Sequence, residues 1–286
     1  MNDNSSRRAS EQALARKIAA LFSECPQVQA VALAGSQTAG MFDSTSDIDL
    51  YVYTIAEIPF RQRVALVEKS KAARADLDLR FWDLGDEWFD AATGIEVDII
   101  YWDTAWIETQ LERVQVKHQA SMGYTTCFWH TIRNSQVLYD RTGWFQSLEE
   151  KAGQPYSAEL RRAIIALNHP VLRRVIPSYT HQIEKAVQRA DLVSINHQVA
   201  ALLASYFDVL FAINCLLNPG EKRLLTFAAE RCAKVPLRMA DQVKDVLQAA
   251  AVPDQNLLVK VDLLIDGLDH LLLEEGFDPK TSQPMI

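Results

Sequence analysis

Four cysteines in 286 residues, Cys25, Cys127, Cys215 and Cys232, leave little room for metal or disulfide chemistry, because no two form a Cys-x-x-Cys pair. A secreted disulfide framework and a cysteine-based zinc site are both excluded on that pattern. The six histidines are dispersed and show no ligand spacing, so His130, His181 and His197 read as ordinary helix residues. Basic charge is also short: 29 Lys and Arg face 37 Asp and Glu, a formal net charge of −8. That balance argues against a broad nucleic-acid surface, which needs a strong basic footprint, while leaving room for a local pocket around one nucleotide. No apolar run reaches the length of a membrane span. The richest, Val199 to Leu217, is broken by Ser205, Asp208 and Asn214. The first ten residues are polar and lack an apolar stretch, so no signal peptide is expected and the protein is expected to be cytoplasmic. Neither an internal repeat nor a low-complexity segment is visible.

Against these absences one string stands out. Val28 to Ala34 reads as an apolar strand that ends in Gly35-Ser36. After a polar loop comes Ser46-Asp47-Ile48-Asp49-Leu50-Tyr51-Val52. Alternate side chains of a strand share a face, so Asp47 and Asp49 point one way while Ile48 and Leu50 point into the core. A third acid follows in Ile95-Glu96-Val97-Asp98-Ile99-Ile100-Tyr101, where Glu96 and Asp98 share one face and Val97, Ile99 and Tyr101 the other. Acids on such strands are costly unless paired or bound to a cation. Mg²⁺ fits that need, since it prefers oxygen ligands and joins one or two carboxylates to substrate phosphates. A Gly-Ser turn beside them can bring backbone N–H groups and a hydroxyl close to a phosphate tail.

Together, Gly35-Ser36, Asp47-Ile48-Asp49 and Asp98 resemble the signature of the DNA-polymerase-β-like nucleotidyltransferase superfamily. More narrowly, they resemble the small bacterial enzymes that modify aminoglycosides and lincosamides. Residues 28–103 carry the resemblance. Tyr206 to Asn214, followed by Pro219-Gly220-Glu221-Lys222-Arg223-Leu224, is similar to the helical second domain of bacterial members. The resemblance implies transfer of a nucleoside monophosphate, AMP from ATP, to a hydroxyl of a small-molecule acceptor, with an aminoglycoside-type antibiotic as the best-known class. Asp47, Asp49 and Asp98 would hold Mg²⁺, or Asp98 would serve as general base; the sequence does not choose. Gly35 and Ser36 would meet the β- or γ-phosphate. Ser46, in the same loop as Asp43, is a further nucleotide-binding candidate. Lys185 and Lys222, with Arg223 beside it, are candidate cationic partners of the triphosphate. Two other readings stand beside this one: adenylylation of a protein or tRNA end, and a nucleotide-binding module without catalysis. No interface signature decides whether two copies pair.

The expected fold is α+β: a small mixed-sheet nucleotidyltransferase domain over residues 1–114, then an all-helical domain over 115–286. In the first, Ser10 caps a helix through Leu14, Ile18 and Phe22, with residues 1–8 loose. Pro59 opens a second helix, Asp78 to Trp82 forms a strand, and the acidic stretch Asp83 to Gly94 is a loop. After Asp103 only helical periodicity is expected, punctuated by Pro170, Pro177, Pro219-Gly220, Pro236 and Pro253. Asp208 and Asn214, polar in an apolar helix, are expected to find partners in a cleft.

Overall fold

The computed structural model describes residues 3–35, 47–81, 83–252 and 254–284. In chain order the first elements are α1 (Asp3–Ser23), β1 (Val28–Leu33), β2 (Ile48–Thr54), α2 (Phe60–Ser70), β3 (Ala72–Leu79), β4 (Gly85–Asp90), β5 (Glu96–Asp103) and α3 (Thr104–Gln115). They are followed by α4 (Cys127–Arg133), β6 (Gln136–Asp140), α5 (Trp144–Ala152), α6 (Ala158–Asn168), α7 (Pro170–Arg173), α8 (Tyr179–Gln188) and α9 (Leu192–Ile213). The chain closes with α10 (Leu224–Arg231), α11 (Met239–Ala249), α12 (Gln255–Glu274) and the short strands β7 (Phe277–Asp278) and β8 (Gln283–Pro284). The fold is α+β, a mixed sheet with a helical C-terminal region. It divides into two compact units, residues 1–111 with 131–154, and residues 112–130 with 155–286.

The first unit is built on a six-stranded sheet of order β3-β4-β5-β2-β1-β6. Only β2 and β5 run parallel; the other neighbours are antiparallel. One face of the sheet is the core: Leu14, Ile18 and Phe22 of α1 and Leu66 and Val67 of α2 pack on Ile48, Leu50, Val52, Val97 and Ile99, all buried. Each such side chain withdrawn from water stabilises the fold by about 1.5–3 kcal/mol. This core fixes the strand register, because a slip by one residue would turn Ile48 and Leu50 out and Asp49 in.

Three local expectations are corrected. First, α1 begins at Asp3, so Ser10 lies inside the helix rather than capping it. Nothing between Asp3 and Ser10 breaks a helix, and Arg7 Nε donates to Glu11 Oε1 one turn on, at 2.9 Å. Second, the acidic stretch expected as a loop contains β4, and the strand expected at Asp78 to Trp82 runs instead from Ala72 to Leu79 (Trp82 lies outside the described residues). The cause is an ion pair. Asp86 is fully buried on the core face, accepting from Arg63 Nη1 at 2.7 Å, Tyr101 Oη at 2.7 Å and the Asp78 backbone N–H at 2.9 Å. Asp90 accepts from the N–H of Ala92 and Thr93 and from Thr93 Oγ1. Third, β6 is a strand in the region expected to be purely helical, and it pairs with β1 at the edge of the sheet.

In the second unit α6 and α8 pack on α9, and α11 pairs with α12. Pro170 separates α6 from α7, since proline cannot donate to the preceding turn. No helix among the described residues is long and apolar enough to cross a membrane.

Candidate active site

Asp49 and Asp98 are direct register partners on the parallel strands β2 and β5, with Ile48 opposite Val97 and Leu50 opposite Ile99. Partners in register share a face, so the two half-buried carboxylates stand side by side about 4.8 Å apart at the backbone. Asp47, also half-buried, immediately precedes β2, on the same alternation as Asp49. The row continues outward. Asp98 is opposite Glu87 of β4, and Glu87 is opposite Asp76 of β3. Four adjacent strands thus present Asp76, Glu87, Asp98 and Asp49 in one line. Like charges directly opposite one another in a sheet are destabilising. Glu96, the neighbouring acid on the Asp98 face, is exposed.

At the other end of this line the chain leaves β1. The Ala34 backbone N–H donates to the Asp49 carbonyl at 3.0 Å, which extends the β1–β2 pairing by one residue. Gly35 then turns with φ +70°, a conformation that glycine adopts without strain. A Cβ at Gly35 would lie 1.8 Å from Asp49 Oδ2 and 2.7 Å from its Cγ. The Asp49 carboxylate therefore occupies the volume that any side chain at position 35 would need. Glycine is required here by the acid as well as by the turn.

Asp49 and Asp98 supply the hard oxygen donors that Mg²⁺ takes, and a pair of carboxylates suffices when phosphate oxygens and water complete the octahedron. No group of three His, Cys, Asp or Glu among the described residues is close enough to hold a metal by itself. The residues present fit an ion shared with substrate phosphate, not a closed structural site. Ser36, Asp43 and Ser46 lie outside the described residues.

The candidate lysines belong to the second unit: Lys185 is half-buried on α8, and Lys222 is exposed in the turn before α10. Asp208 and Asn214 are partnered inside their own unit. Asp208 accepts from Thr125 N–H and Oγ1 (3.2 and 2.6 Å), Asn218 Nδ2 (2.9 Å) and Asn168 Nδ2 (3.4 Å), and burial pushes its carboxyl up to about 6. Asn214 donates to the carbonyls of Leu210 and Lys234 and accepts from the Lys234 N–H. Tyr206 and Phe207 are buried in the helix core. All four residues hold the helical unit together, so the polar pair is a clamp inside one unit and not a cleft feature.

Sequence reasoning missed Glu87. Its signal was there in Gly85-Asp86-Glu87-Trp88-Phe89-Asp90, where Trp88 is buried and Glu87 and Phe89 are exposed. Three acids in six residues concealed that alternation.

No protein-family model matches the chain, and no curated protein matches it. Among solved structures, one similar to it is the crystal structure of a nucleotidyltransferase-like protein from Exiguobacterium sibiricum. The two are 12% identical over 93% of this chain and 75% of the other, with a TM-score of 0.42. A likeness at that level carries no residue assignment.

Proposed function

We propose that this chain is an Mg²⁺-dependent nucleotidyltransferase that moves a nucleoside monophosphate, AMP from ATP, onto a hydroxyl of a small-molecule acceptor. The observation that carries this reading is the Asp49–Asp98 pair, in register on parallel strands, with Gly35 fitted against the Asp49 carboxylate. Structural carboxylates are paired with cations or donors. Four acids, Asp49, Asp98, Glu87 and Asp76, are in-register neighbours across adjacent strands, an arrangement that favours a bound cation.

Bound Mg²⁺ would neutralise charge on the phosphates and align the attacking and leaving oxygens. Asp49 and Asp98 would hold it, with Asp47 on the same alternation as a further ligand. The backbone at Gly35, bare of a side chain, allows the triphosphate to approach closely. Asp98, on the far side of Asp49 from Gly35, faces the acceptor. The acceptor oxygen bonds to the α-phosphorus as the bond to the β-phosphate oxygen breaks. Pyrophosphate leaves, and the hydroxyl proton passes to Asp98 or to solvent. Lys185 and Lys222 are the proposed cationic partners of the triphosphate.

The test is pyrophosphate release from each of the four NTPs with Mg²⁺, against aminoglycosides first, with mass spectrometry for the nucleotide adduct. An adduct on a small molecule supports the reading. An adduct on protein moves the acceptor to that class. Saturable nucleotide binding without pyrophosphate release from any NTP contradicts catalysis.

A further inference from the structure

The sheet of the first unit ends, among the described residues, at β3, whose outer edge has no neighbouring strand. An edge strand presents a line of backbone N–H and C=O groups to any strand that can pair with it, and proteins blunt such edges with proline, lysine and other charged side chains. β3 reads Ala72-Ala73-Arg74-Ala75-Asp76-Leu77-Asp78-Leu79 and has neither proline nor lysine. Its pairing with β4 is regular through Arg74, Ala75 and Asp76, opposite Phe89, Trp88 and Glu87. The register shifts on either side, between Ala72 and Arg74 and between Asp76 and Leu79. Ala75 is therefore the centre of the regular part of the edge. Arg74 and Asp76 flank it on the open face, the face of Glu87, with side chains 75% and 58% exposed. Their mutual contact, 3.3 Å from Arg74 Nη2 to Asp76 Oδ2, is an exposed pair of little worth and costs little to exchange.

This edge is its own complement. Reversed about Ala75, Arg74 falls opposite Asp76 and Asp76 opposite Arg74, while Ala75 meets Ala75 and Ala73 meets Leu77. A guard of one sign would repel a second copy of the chain; this one attracts it, because opposite charges in register stabilise an antiparallel pair. We propose that two copies of this chain pair β3 to β3, antiparallel, about a two-fold axis at Ala75, joining their sheets into one. Two Arg–Asp pairs then meet across the join on the open face, and with alanine at the axis no bulky group keeps the strands apart. The same pairing ends the row Asp49, Asp98, Glu87 and Asp76 in an opposite charge, since Arg74 of the second copy is the next group beyond Asp76. Both copies use the same edge, so the contact closes as a dimer and leaves no β3 edge for a third. So short a strand buries less surface than a permanent interface needs, and the dimer is therefore weak and forms at raised concentration. The inference does not depend on the nucleotidyltransferase reading.

The experiment is sedimentation velocity on the full chain over a concentration series reaching about 0.5 mM, where a weak dimer is populated. It compares the wild-type chain with Arg74→Asp and Asp76→Arg, each alone and the two mixed. The wild-type chain is expected to shift from monomer to dimer along the series. Each variant alone sets like charges opposite one another twice and is expected to dimerise at least about tenfold more weakly. An equimolar mixture of the two variants sets opposite charges together at both positions and is expected to recover the dimer. A wild-type chain that stays monomeric throughout overturns the inference. So does a dimer that neither substitution weakens, which would place the contact elsewhere. Failure of the mixture to recover what each variant lost, with both variants folded by circular dichroism, overturns it as well.

Discussion

Two sets of carboxylates occupy opposite faces of one sheet, and they are treated in opposite ways. On the core face Asp86 is fully buried, paired with the equally buried Arg63 and supplied with donors from Tyr101 and the Asp78 backbone. On the open face Asp98 has Asp49 on one side and Glu87 on the other, and Asp49 closes against the bare backbone of Gly35. Asp86 and Glu87 are adjacent in sequence, so composition cannot separate them. What separates them is the face: Asp86 pairs with Arg63 in the core, while Glu87 lies in register beside Asp98 on the open side. Loss of Arg63 should therefore cost stability, because it strands the buried Asp86, whereas changes to the open-face acids should be read mainly in the proposed reaction.

The comparison can be broken by moving one acid at a time. The largest effect is expected from Asp49→Asn or Asp98→Asn: pyrophosphate release should fall by about 10³-fold or more, near 4 kcal/mol of barrier. Stability should be unchanged or raised by up to about 1 kcal/mol as in-row repulsion is relieved. Arg63→Met should do the reverse. It leaves Asp86 buried without its cation, at a cost of about 3–5 kcal/mol in denaturant unfolding, and the double variant Arg63→Met with Asp86→Leu should recover most of it. Gly35→Ala should lower turnover by about 10²-fold, because its Cβ overlaps the Asp49 carboxylate and must displace it.

The smallest effect sharpens the contrast in the second unit. Asp208 is raised to about 6 by burial, so its contribution is present below pH 4 and lost as pH rises through about 6. His130 is lowered to about 4, first by burial and then by Arg231. Its contribution is present above the ordinary imidazole range near 6.5 and lost as pH falls through about 4. The two slopes oppose each other, each worth about 3 kcal/mol. Relative to the wild-type chain, His130→Gln should become less stable as pH rises from 4 to 6. Asp208→Asn should become more stable over the same interval, read by urea unfolding.

Much of this was legible in the sequence, for identifiable reasons. The strand that carries Asp49 and the strand that carries Asp98 alternate cleanly, Ile48, Leu50, Val97 and Ile99 inward and acids outward, so period two revealed them. Most of the later helices could be read because proline and glycine mark their ends. β4 could not be read, since its inward acids, Asp86 and Asp90, depend on Arg63 twenty-three residues upstream of Asp86 and on a local turn. The Asp49–Asp98 register and the Gly35 fit are pairings between strands. A linear pattern cannot express them, however clear each strand is by itself. Asp208 misled for the same reason: an isolated acid in an apolar helix gives no sign of Thr125, Asn168 and Asn218, which lie far away in sequence or beyond the helix end.

The most direct test of the account is to measure Asp49→Asn for thermal midpoint and for Mg²⁺-dependent pyrophosphate release in the same preparation, beside Arg63→Met. The account predicts a midpoint at or above that of the wild-type chain with turnover lost for Asp49→Asn, and a clear drop in midpoint for Arg63→Met. Turnover that survives in Asp49→Asn, or a midpoint that falls as far as in Arg63→Met, would make Asp49 a structural acid and contradict the account.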